Sequence, residues 1–356
     1  MAPWRHTNNG FSCKFSGFKY NCGLYTKPKS RMLSYTEIKK AKFYNLTGRP
    51  NGLVYSKFPP NLVTEKIIAL PDFSPGRAPL PTGSCVVINT EENPGWRRLA
   101  ISDVGCGIAL LRSNISWEDF DENLNSWDEL GRRLRRNKGK LGDLGSGNHF
   151  LDAVVDPKDS SQRVNFVIHT GSRNESPKVE RYLNNPSKFD QEFERVRQWA
   201  QKNRLTVSQI VGEVYPDVEL VFDTQHNFYD YSPDQSRVTI YKGAVKLEPG
   251  RLSIIPSSLD GDMVVVEGKP GLENLEYAIN HGTGRIQSRG ESKRISGRYD
   301  MAALRRRVYI PAFIKDLSVQ KENPSLYRSL DEALSRVEKI IEVKRRLTPI
   351  AYLGQL

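Results

Sequence analysis

The 356-residue chain has no apolar run long enough to span a bilayer. Its opening, Met1-Ala2-Pro3-Trp4-Arg5-His6, lacks the apolar core of a secretory signal. Both absences lead to the expectation of a cytoplasmic protein that keeps clear of membranes. Cysteine is scarce. Four residues, Cys13, Cys22, Cys85 and Cys106, are too few for a disulfide scaffold at this length. The spacing of Cys13 and Cys22 allows a pair or a zinc site but matches no finger, and buried or free thiols fit it better. Histidine is scarce too, with five in the chain, so where they fall carries information. Internal repeats and low-complexity tracts are missing.

Apolar residues make up 38% and charged ones 26%, the balance of a soluble globular protein, and the length gives a soft prior of two or three domains. Lys and Arg outnumber Asp and Glu by 53 to 41, a net charge of +12. Such an excess attracts polyanions, nucleic acid first among them, although many basic proteins bind no RNA.

Ile115 to Leu134 is expected to be helical, because Trp117, Phe120, Leu124, Trp127, Leu130 and Leu134 recur at three- and four-residue steps. It runs into Arg132-Arg133-Leu134-Arg135-Arg136, which reads equally as a solvated helix end or as a phosphate contact. Phe189, Phe193, Val196 and Trp199 or Ala200 mark another helix. Leu330 to Lys344 gives the clearest helical pattern. Ser329 and Glu332 form a capping box, Leu330, Leu334, Val337 and Ile341 share a face, and Pro349 lies beyond the end. Val164 to Ile168 and Val218 to Phe222 read as strands that deliver His169 and His226, and Met263 to Val266 as a short strand. Tyr25 to Pro60 reads as irregular connections around short elements. Helices and strands do not alternate regularly, so the expected class is α+β, with mixed sheets and surrounding helices.

Four of the five histidines sit in short segments rich in Gly, Asn and Ser: Gly145-Ser146-Gly147-Asn148-His149-Phe150, His169-Thr170-Gly171-Ser172-Arg173, Gln225-His226-Asn227 and Asn280-His281-Gly282-Thr283-Gly284-Arg285. A further segment, Asp103-Val104-Gly105-Cys106-Gly107, holds a carboxylate and a thiol three apart. Imidazole, thiolate and carboxylate are the usual metal ligands. A lone histidine is more often a satisfied structural residue, but four in glycine-bearing loops lower that prior. Asp103, Cys106, His149, His169 and His226 suit two ions that share the Cys106 thiolate and keep open positions for phosphate oxygens. Zinc is the default for Cys/His sites, and the carboxylate and open positions leave Mn(II) in play. His281, with glycines and arginines around it, resembles a phosphate site and reads either as a nucleophile or as a ligand.

Taken in order, these segments resemble the RtcB family of RNA ligases, which join a 3′-phosphate end to a 5′-hydroxyl end. The family pattern D-[VI]-x-C-G appears as Asp103 to Gly107, and G-x-G-N-H-F-x-E as Gly145 to Asp152, with Asp152 in place of the glutamate. H-S-G-S-R appears as His169 to Arg173 with Thr170 for Ser, H-N as His226-Asn227, and K-G-A as Lys242-Gly243-Ala244. I-P-G-S-M corresponds to Ile255-Pro256-Ser257-Ser258-Leu259, and H-G-A-G-R with S-R behind it to His281–Arg285 and Ser288-Arg289. The resemblance runs from about Leu70 to the C-terminus.

It implies an RtcB-like fold over residues 1–356 as a single catalytic domain, with metal and nucleotide sites in a central cleft. It implies Asp103, Cys106 and His149 on one Mn(II), with Cys106 bridging to a second held by His169 and His226. His281 would attack the α-phosphate of GTP, with Asp72 orienting it. Asn148, Phe150, Asp152, Asn227, Pro256, Ser257, Ser258, Leu259, Gly282, Thr283, Gly284, Arg285 and Tyr327 would line the nucleotide site. Arg173 and Arg289, with Arg132, Arg133, Arg135 and Arg136, are the candidate RNA contacts. RNA with 3′-phosphate or 2′,3′-cyclic phosphate and 5′-hydroxyl ends is the expected substrate, in tRNA splicing or RNA repair. An archease-like activator and a monomeric state are also expected.

The chain departs from the pattern at Ser74-Pro75-Gly76, where the family has His-Pro-Gly, at Asp152, and at Gly354, where the family's terminal lysine would stand. Two other readings compete: a two-metal phosphoesterase with His281 as proton donor, and a non-catalytic RNA-binding paralogue. The presence of all five candidate ligands and His281 weighs against the latter.

Overall fold

The structure, a computed structural model, describes residues 41–59, 62–74, 79–145, 147–286 and 299–354. Runs such as Ile67-Ile68-Ala69-Leu70 and Val264-Val265-Val266 are apolar at every position and largely β-branched, which suits strands buried on both faces. They build two sheets. The first has five strands in the order β1 (Lys42–Asn45), β2 (Lys66–Ser74), β3 (Thr82–Asn89), β9 (Arg237–Lys242) and β8 (Asn227–Tyr231). β1 and β2 run parallel and the rest antiparallel, so the sheet is mixed.

The second sheet has seven antiparallel strands: β11 (Leu252–Ile255), β12 (Met263–Gly268), β14 (Ile341–Gly354), β5 (Phe150–Val155), β6 (Arg163–Thr170), β4 (Gly107–Ser116) and β7 (Glu219–Gln225). It curls until its two end strands meet, with the hydroxyl of Thr224 on β7 3.3 Å from that of Ser253 on β11. Alternation along the strands then sorts the side chains. Ile108, Leu110, Val154, Val167, Ile254, Met263, Val265 and Leu347 fill the inside. Ala109, Leu111, Leu151, Ala153, Phe166 and Ile168 face outward, against Trp127, Leu130, Leu134, Val207 and Val211 of two helices, Leu124–Arg136 and Pro186–Val214. A two-stranded pair, β10 (Ala244–Lys246) and β13 (Ala278–Asn280), completes the α+β arrangement.

Pro186–Val214 confirms the Phe189, Phe193, Val196 and Ala200 stripe, with Ala200 buried and Trp199 half-buried. Asn185 caps it by accepting from the Lys188 amide at 3.2 Å. The expected helix from Ile115 is instead two helices, Trp117–Glu122 and Leu124–Arg136, with Ile115 and Ser116 ending β4. Ser116 starts the first by accepting from the Asp119 amide, and the Asn123 side chain, bonded to the Asp119 carbonyl, marks the break. The expected helix from Leu330 to Lys344 is likewise corrected. It stops at Ser335, and residues from Ile341 enter β14.

Two forces overrule the helical pattern there. Val337, Ile340, Ile341 and Val343 are β-branched, and β12, apolar on both faces, needs a second partner for its backbone. Leu330, Leu334, Val337 and Ile341 still meet in one apolar cluster, but as a helix, a turn and a strand. Pro349, expected beyond the helix end, lies within β14 at a register shift, where its missing N–H is tolerated. Among the described residues no helix is long and apolar enough to cross a membrane.

Leu347 tests the strand most directly, since it lies on β14 fully buried inside the curled sheet. Leu347→Ala should cost about 2–5 kcal/mol in urea unfolding. A near-neutral result would mean that the segment is not a buried central strand.

Candidate active site

Three of the candidate ligands continue the inward series of the curled sheet. Cys106 precedes β4 two residues before inward Ile108, His169 lies on β6 two after inward Val167, and His226 follows β7 two after Thr224. The Asp103–Cys106 turn is tight, with the Cys106 amide donating to the Asp103 carbonyl at 3.0 Å. Asp103 has φ +45° and Gly105 φ +71°, and a non-glycine residue in the left-handed region is uncommon enough to mark a constrained site. The turn is held from outside. Gly105 donates to the Asn227 carbonyl at 2.8 Å, and the Asn227 side-chain amide donates to the Asp103 carbonyl at 3.2 Å. Gly171 leaves room for the Asp103 carboxylate, because a Cβ there would stand 2.5 Å from Oδ1.

The side chains form two trios that share one atom. Cys106 Sγ lies 3.4 Å from His149 Nε2, which lies 3.0 Å from Asp103 Oδ2. The same sulfur lies 3.3 Å from His169 Nε2, which lies 3.4 Å from His226 Nε2. Asp103, Cys106 and His149 form one group able to hold a metal ion, and Cys106, His169 and His226 another. His169 Nδ1 lies 2.9 Å from the Asn148 carbonyl, which can only accept, so Nδ1 carries the proton and Nε2 turns its lone pair to the cluster.

Burial, then the other imidazoles, holds His169 and His226 well below the usual histidine range, so both stay neutral. Burial raises the Cys106 thiol, and the Asp103 carboxylate raises it further. Burial alone would raise Asp103 as well, but His149 and Lys242 hold it well below the carboxylate range. Lys242, buried and donating to Ser102 and Asn227, is pushed down to about 8 by burial. A thiol raised by its surroundings and flanked by imidazole nitrogens is a donor set that a metal ion would complete, since the ion would hold the sulfur as thiolate.

His281 sits beside this cluster, its ring centroid 4.6 Å from that of His226. His281 Nδ1 lies 2.6 Å from Oδ2 of Asp72, a fully buried carboxylate. A carboxylate can only accept, so Nδ1 carries the proton of this contact. Asp72 lies where β2 and β3 lose register, between Ala69 and Ser74. Arg328 donates to the carbonyls of Pro71 and Phe73 on either side of it, at 3.1 and 3.0 Å.

The expected nucleotide residues are linked to one another by several contacts. Phe150 packs its ring 5.4 Å from that of His169. The Thr283 amide donates to the Pro256 carbonyl at 3.2 Å, which ties the Pro256-Ser257-Ser258 loop to Gly282, while Leu259 packs into the core beneath. Gly284 and Arg285 run beside Tyr327 and Arg328. The Arg285 guanidinium lies 5.2 Å from the Tyr327 ring and 2.7 Å from Glu322, which also accepts from the Tyr327 hydroxyl. Asn227, in contrast, commits its side chain to Asp103, Lys242 and Gly243. Among the described residues, eight buried side-chain polar atoms lack a hydrogen-bond partner. Six belong here, on Asp72, Asp152, Ser172, His226, Asn280 and Thr283, the mark of a site shaped for a polar ligand.

The arginine run is largely neutralised. Arg133 pairs with Glu213, Arg136 with Glu129 at 2.9 Å and Arg132 with Asp128 at 3.6 Å, while Arg135 is exposed. Arg173 opens a 3-10 helix, Arg173–Tyr182, and its side chain lies outside the described residues, as do Arg289, Ser146, Pro75 and Gly76. Sequence reasoning missed Arg204. It is fully buried, pairs with Asp223 of β7 at 2.6 Å, and donates to the carbonyls of Gly105 and Thr170 at 2.7 and 3.0 Å. It thus ties the Asp103–Cys106 turn to the end of the strand that carries His169. The signal was a charge on the apolar stripe, four residues after Ala200 and three before Val207. Glu322 and Lys242 also carry contacts that the sequence pattern does not assign to them.

A family model described as tRNA-splicing ligase RtcB matches residues 175–355, just over half of the chain. The chain belongs to the RtcB family. Its match contains His226, His281, Arg285 and Tyr327, and the fold brings Asp103, Cys106, His149 and His169 to them from outside that span. The RNA-splicing ligase RtcB of Escherichia coli (strain K12) is 24% identical over 330 aligned residues, covering 68% of this chain and 79% of that protein. The tRNA-splicing ligase RtcB of Nanoarchaeum equitans (strain Kin4-M) is 21% identical over 422, covering 82% and 88%. That of Aeropyrum pernix (strain ATCC 700893 / DSM 11879 / JCM 9820 / NBRC 100138 / K1) is 25% identical over 333, covering 70% and 68%.

Two departures from the RtcB pattern have structural consequences. Asp152, inward on β5, is buried with Oδ1 unpartnered, and burial raises its carboxyl well above the usual range. Gly354 closes β14 opposite Phe150, and a Cβ there would collide with the Tyr352 hydroxyl, so a lysine would fit only with that ring displaced.

Two predictions follow from these contacts. Arg204→Ala should cost about 3–5 kcal/mol in urea unfolding, because Asp223 stays buried without its partner. Arg204→Met with Asp223→Leu should recover most of that stability, yet bind added Mn(II) about 10–100-fold more weakly by calorimetry, since the Gly105 and Thr170 carbonyls lose the donor that joins them. Recovery of both would reduce Arg204 to a packing residue. For Asp152 the folded pKa lies above the unfolded one, so its contribution is complete below about pH 3.9 and is lost as pH rises through the folded value. Asp152→Asn should therefore raise the melting temperature at neutral pH and lose that advantage near pH 4. An equal gain at both would rule out ionisation as the cause.

Proposed function

We propose that this chain is an RNA ligase. It joins RNA 3′-phosphate or 2′,3′-cyclic phosphate ends to 5′-hydroxyl ends through a guanylated His281, using GTP and two Mn(II) ions, in tRNA splicing or RNA repair. The observation that carries this reading is the Asp72–His281 couple, 2.6 Å apart, set beside two ligand trios that share Cys106. The naming of the relatives as RNA- or tRNA-splicing ligases supports it.

In this reading Asp103, Cys106 and His149 hold one ion, and Cys106, His169 and His226 the other. When bound, such a pair supplies positive charge that neutralises phosphate oxygens. Asp72 keeps the Nδ1 proton of His281, so Nε2 attacks the α-phosphorus of GTP. A P–N bond forms and the bond to the β-phosphate oxygen breaks, releasing pyrophosphate. The RNA 3′-phosphate, reached from a 2′,3′-cyclic phosphate by addition of water across one P–O bond, then takes GMP from His281, giving a 3′ guanylyl diphosphate end. The 5′-hydroxyl attacks that end and expels GMP. Thr283 and the Pro256-Ser257-Ser258 loop offer polar groups to the nucleotide phosphates, and Tyr327 a face for the purine.

Incubation with α-labelled GTP and Mn(II), followed by a denaturing gel, tests the reading. The chain should carry acid-labile, alkali-stable label, and His281→Ala should carry none. That variant should still seal RNA supplied with a 3′ guanylyl diphosphate end, which bypasses the first two steps. Phosphate release without label would point to the phosphoesterase instead, and label retained in His281→Ala would place the nucleophile elsewhere.

A further inference from the structure

Arginines in this fold usually meet carboxylates, as Arg97, Arg204, Arg285, Arg305, Arg345 and Arg346 do. Arg49, Arg328 and Arg336 come from three separate segments and sit together, yet among the described residues none of them makes an ion pair. The Arg336 guanidinium lies against the backbone of Gly48, where an added Cβ would stand 2.6 Å from Nη2. Arg49 is the next residue. Arg328 makes its hydrogen bonds to the carbonyls of Pro71 and Phe73, and Asp72 and Glu332 act on it only from a distance, without an ion pair. Burial, then Arg49 ahead of any carboxylate, lowers the Arg328 guanidinium from its usual range.

The turn that presents Arg49 is built in advance. Its amide donates to the Thr47 hydroxyl at 3.1 Å, its carbonyl accepts from the Asn45 side chain at 2.6 Å, and the same Asn45 amide group reaches Asn51 at 2.7 Å. The turn follows β1, whose last residue pairs with Ala69, three residues before Asp72. The charges therefore stand at the strand end that carries the Asp72–His281 couple. Guanidiniums gathered without an ion-pair partner repel one another until an anion joins them, and their forked donors match phosphate oxygens.

We propose that Arg49 and Arg336, backed by Arg328, bind backbone phosphates of a single-stranded RNA as it approaches the Asp72–His281 couple. This rests on the RNA-joining reading, but its test needs no joining. Both Arg49 and Arg336 are exposed, so glutamine at these positions should not disturb the fold, and Arg328 is kept because it holds the backbone around Asp72.

The probe is a short fluorescein-labelled single-stranded RNA with hydroxyls at both ends, which cannot enter the reaction. Fluorescence anisotropy across a salt series compares the unaltered chain with Arg49→Gln/Arg336→Gln. The slope of log K against log salt should fall by about 1.4, two contacts at about 0.7 each, equivalent to about 25-fold in affinity at about 0.1 M salt. Labelling of His281 by GTP should not change. An unaltered slope overturns the proposal. So does loss of GTP labelling with RNA binding intact, which would give the arginines to the nucleotide triphosphate. If the unaltered chain takes no label but the slope still falls, the phosphate site stands and the ligase reading does not.

Discussion

A buried thiol flanked by two imidazole nitrogens within 3.4 Å is a costly arrangement unless positive charge lies among them. Much of the structure around Cys106 serves to maintain it. The turn places Asp103 beside the sulfur through a left-handed backbone conformation. Arg204 pulls the Gly105 and Thr170 carbonyls together from within the helix Pro186–Val214, and Asp223 balances its charge. Asn227 and Lys242 close the other side. Three strands of the curled sheet end at the sulfur, so its geometry depends on the register of β4, β6 and β7.

That concentration of polar groups has a cost in stability. Asp152 keeps a carboxyl in an apolar setting, and the unpartnered atoms of Ser172, Asn280 and Thr283 give up hydrogen bonds that water would supply. The apolar interior beyond, from Ile108 to Leu347, offsets this with fully buried side chains in regular alternation. A rigid sheet behind and unsatisfied polar atoms in front form a site prepared for a ligand.

Much of the site was legible in the sequence because its residues are chemically rare and fall in short segments. His149, His169, His226 and His281 could be picked out of five histidines, and the fold brings all four together. The strands delivering His169 and His226 were visible as β-branched runs, and the α+β class followed from the irregular order of elements. Other features depend on tertiary context. Ile341 and Val343 satisfy a helical pattern as well as a strand, and the decision rests with β12, some seventy residues away in sequence. Arg204 was one basic residue among 53 until the fold put Gly105 and Thr170 at its tip. Arg49 and Arg336 were likewise indistinguishable from solvated charges.

The central claim is that Cys106 joins two metal ions in one centre. Electron paramagnetic resonance on the chain titrated with Mn(II) tests it most directly, because ions bridged by one sulfur couple magnetically and separate ions do not. Two ions per chain with an exchange-coupled spectrum at saturation is the result this account requires. A single bound ion, or two ions that give only the signal of isolated Mn(II), would contradict it.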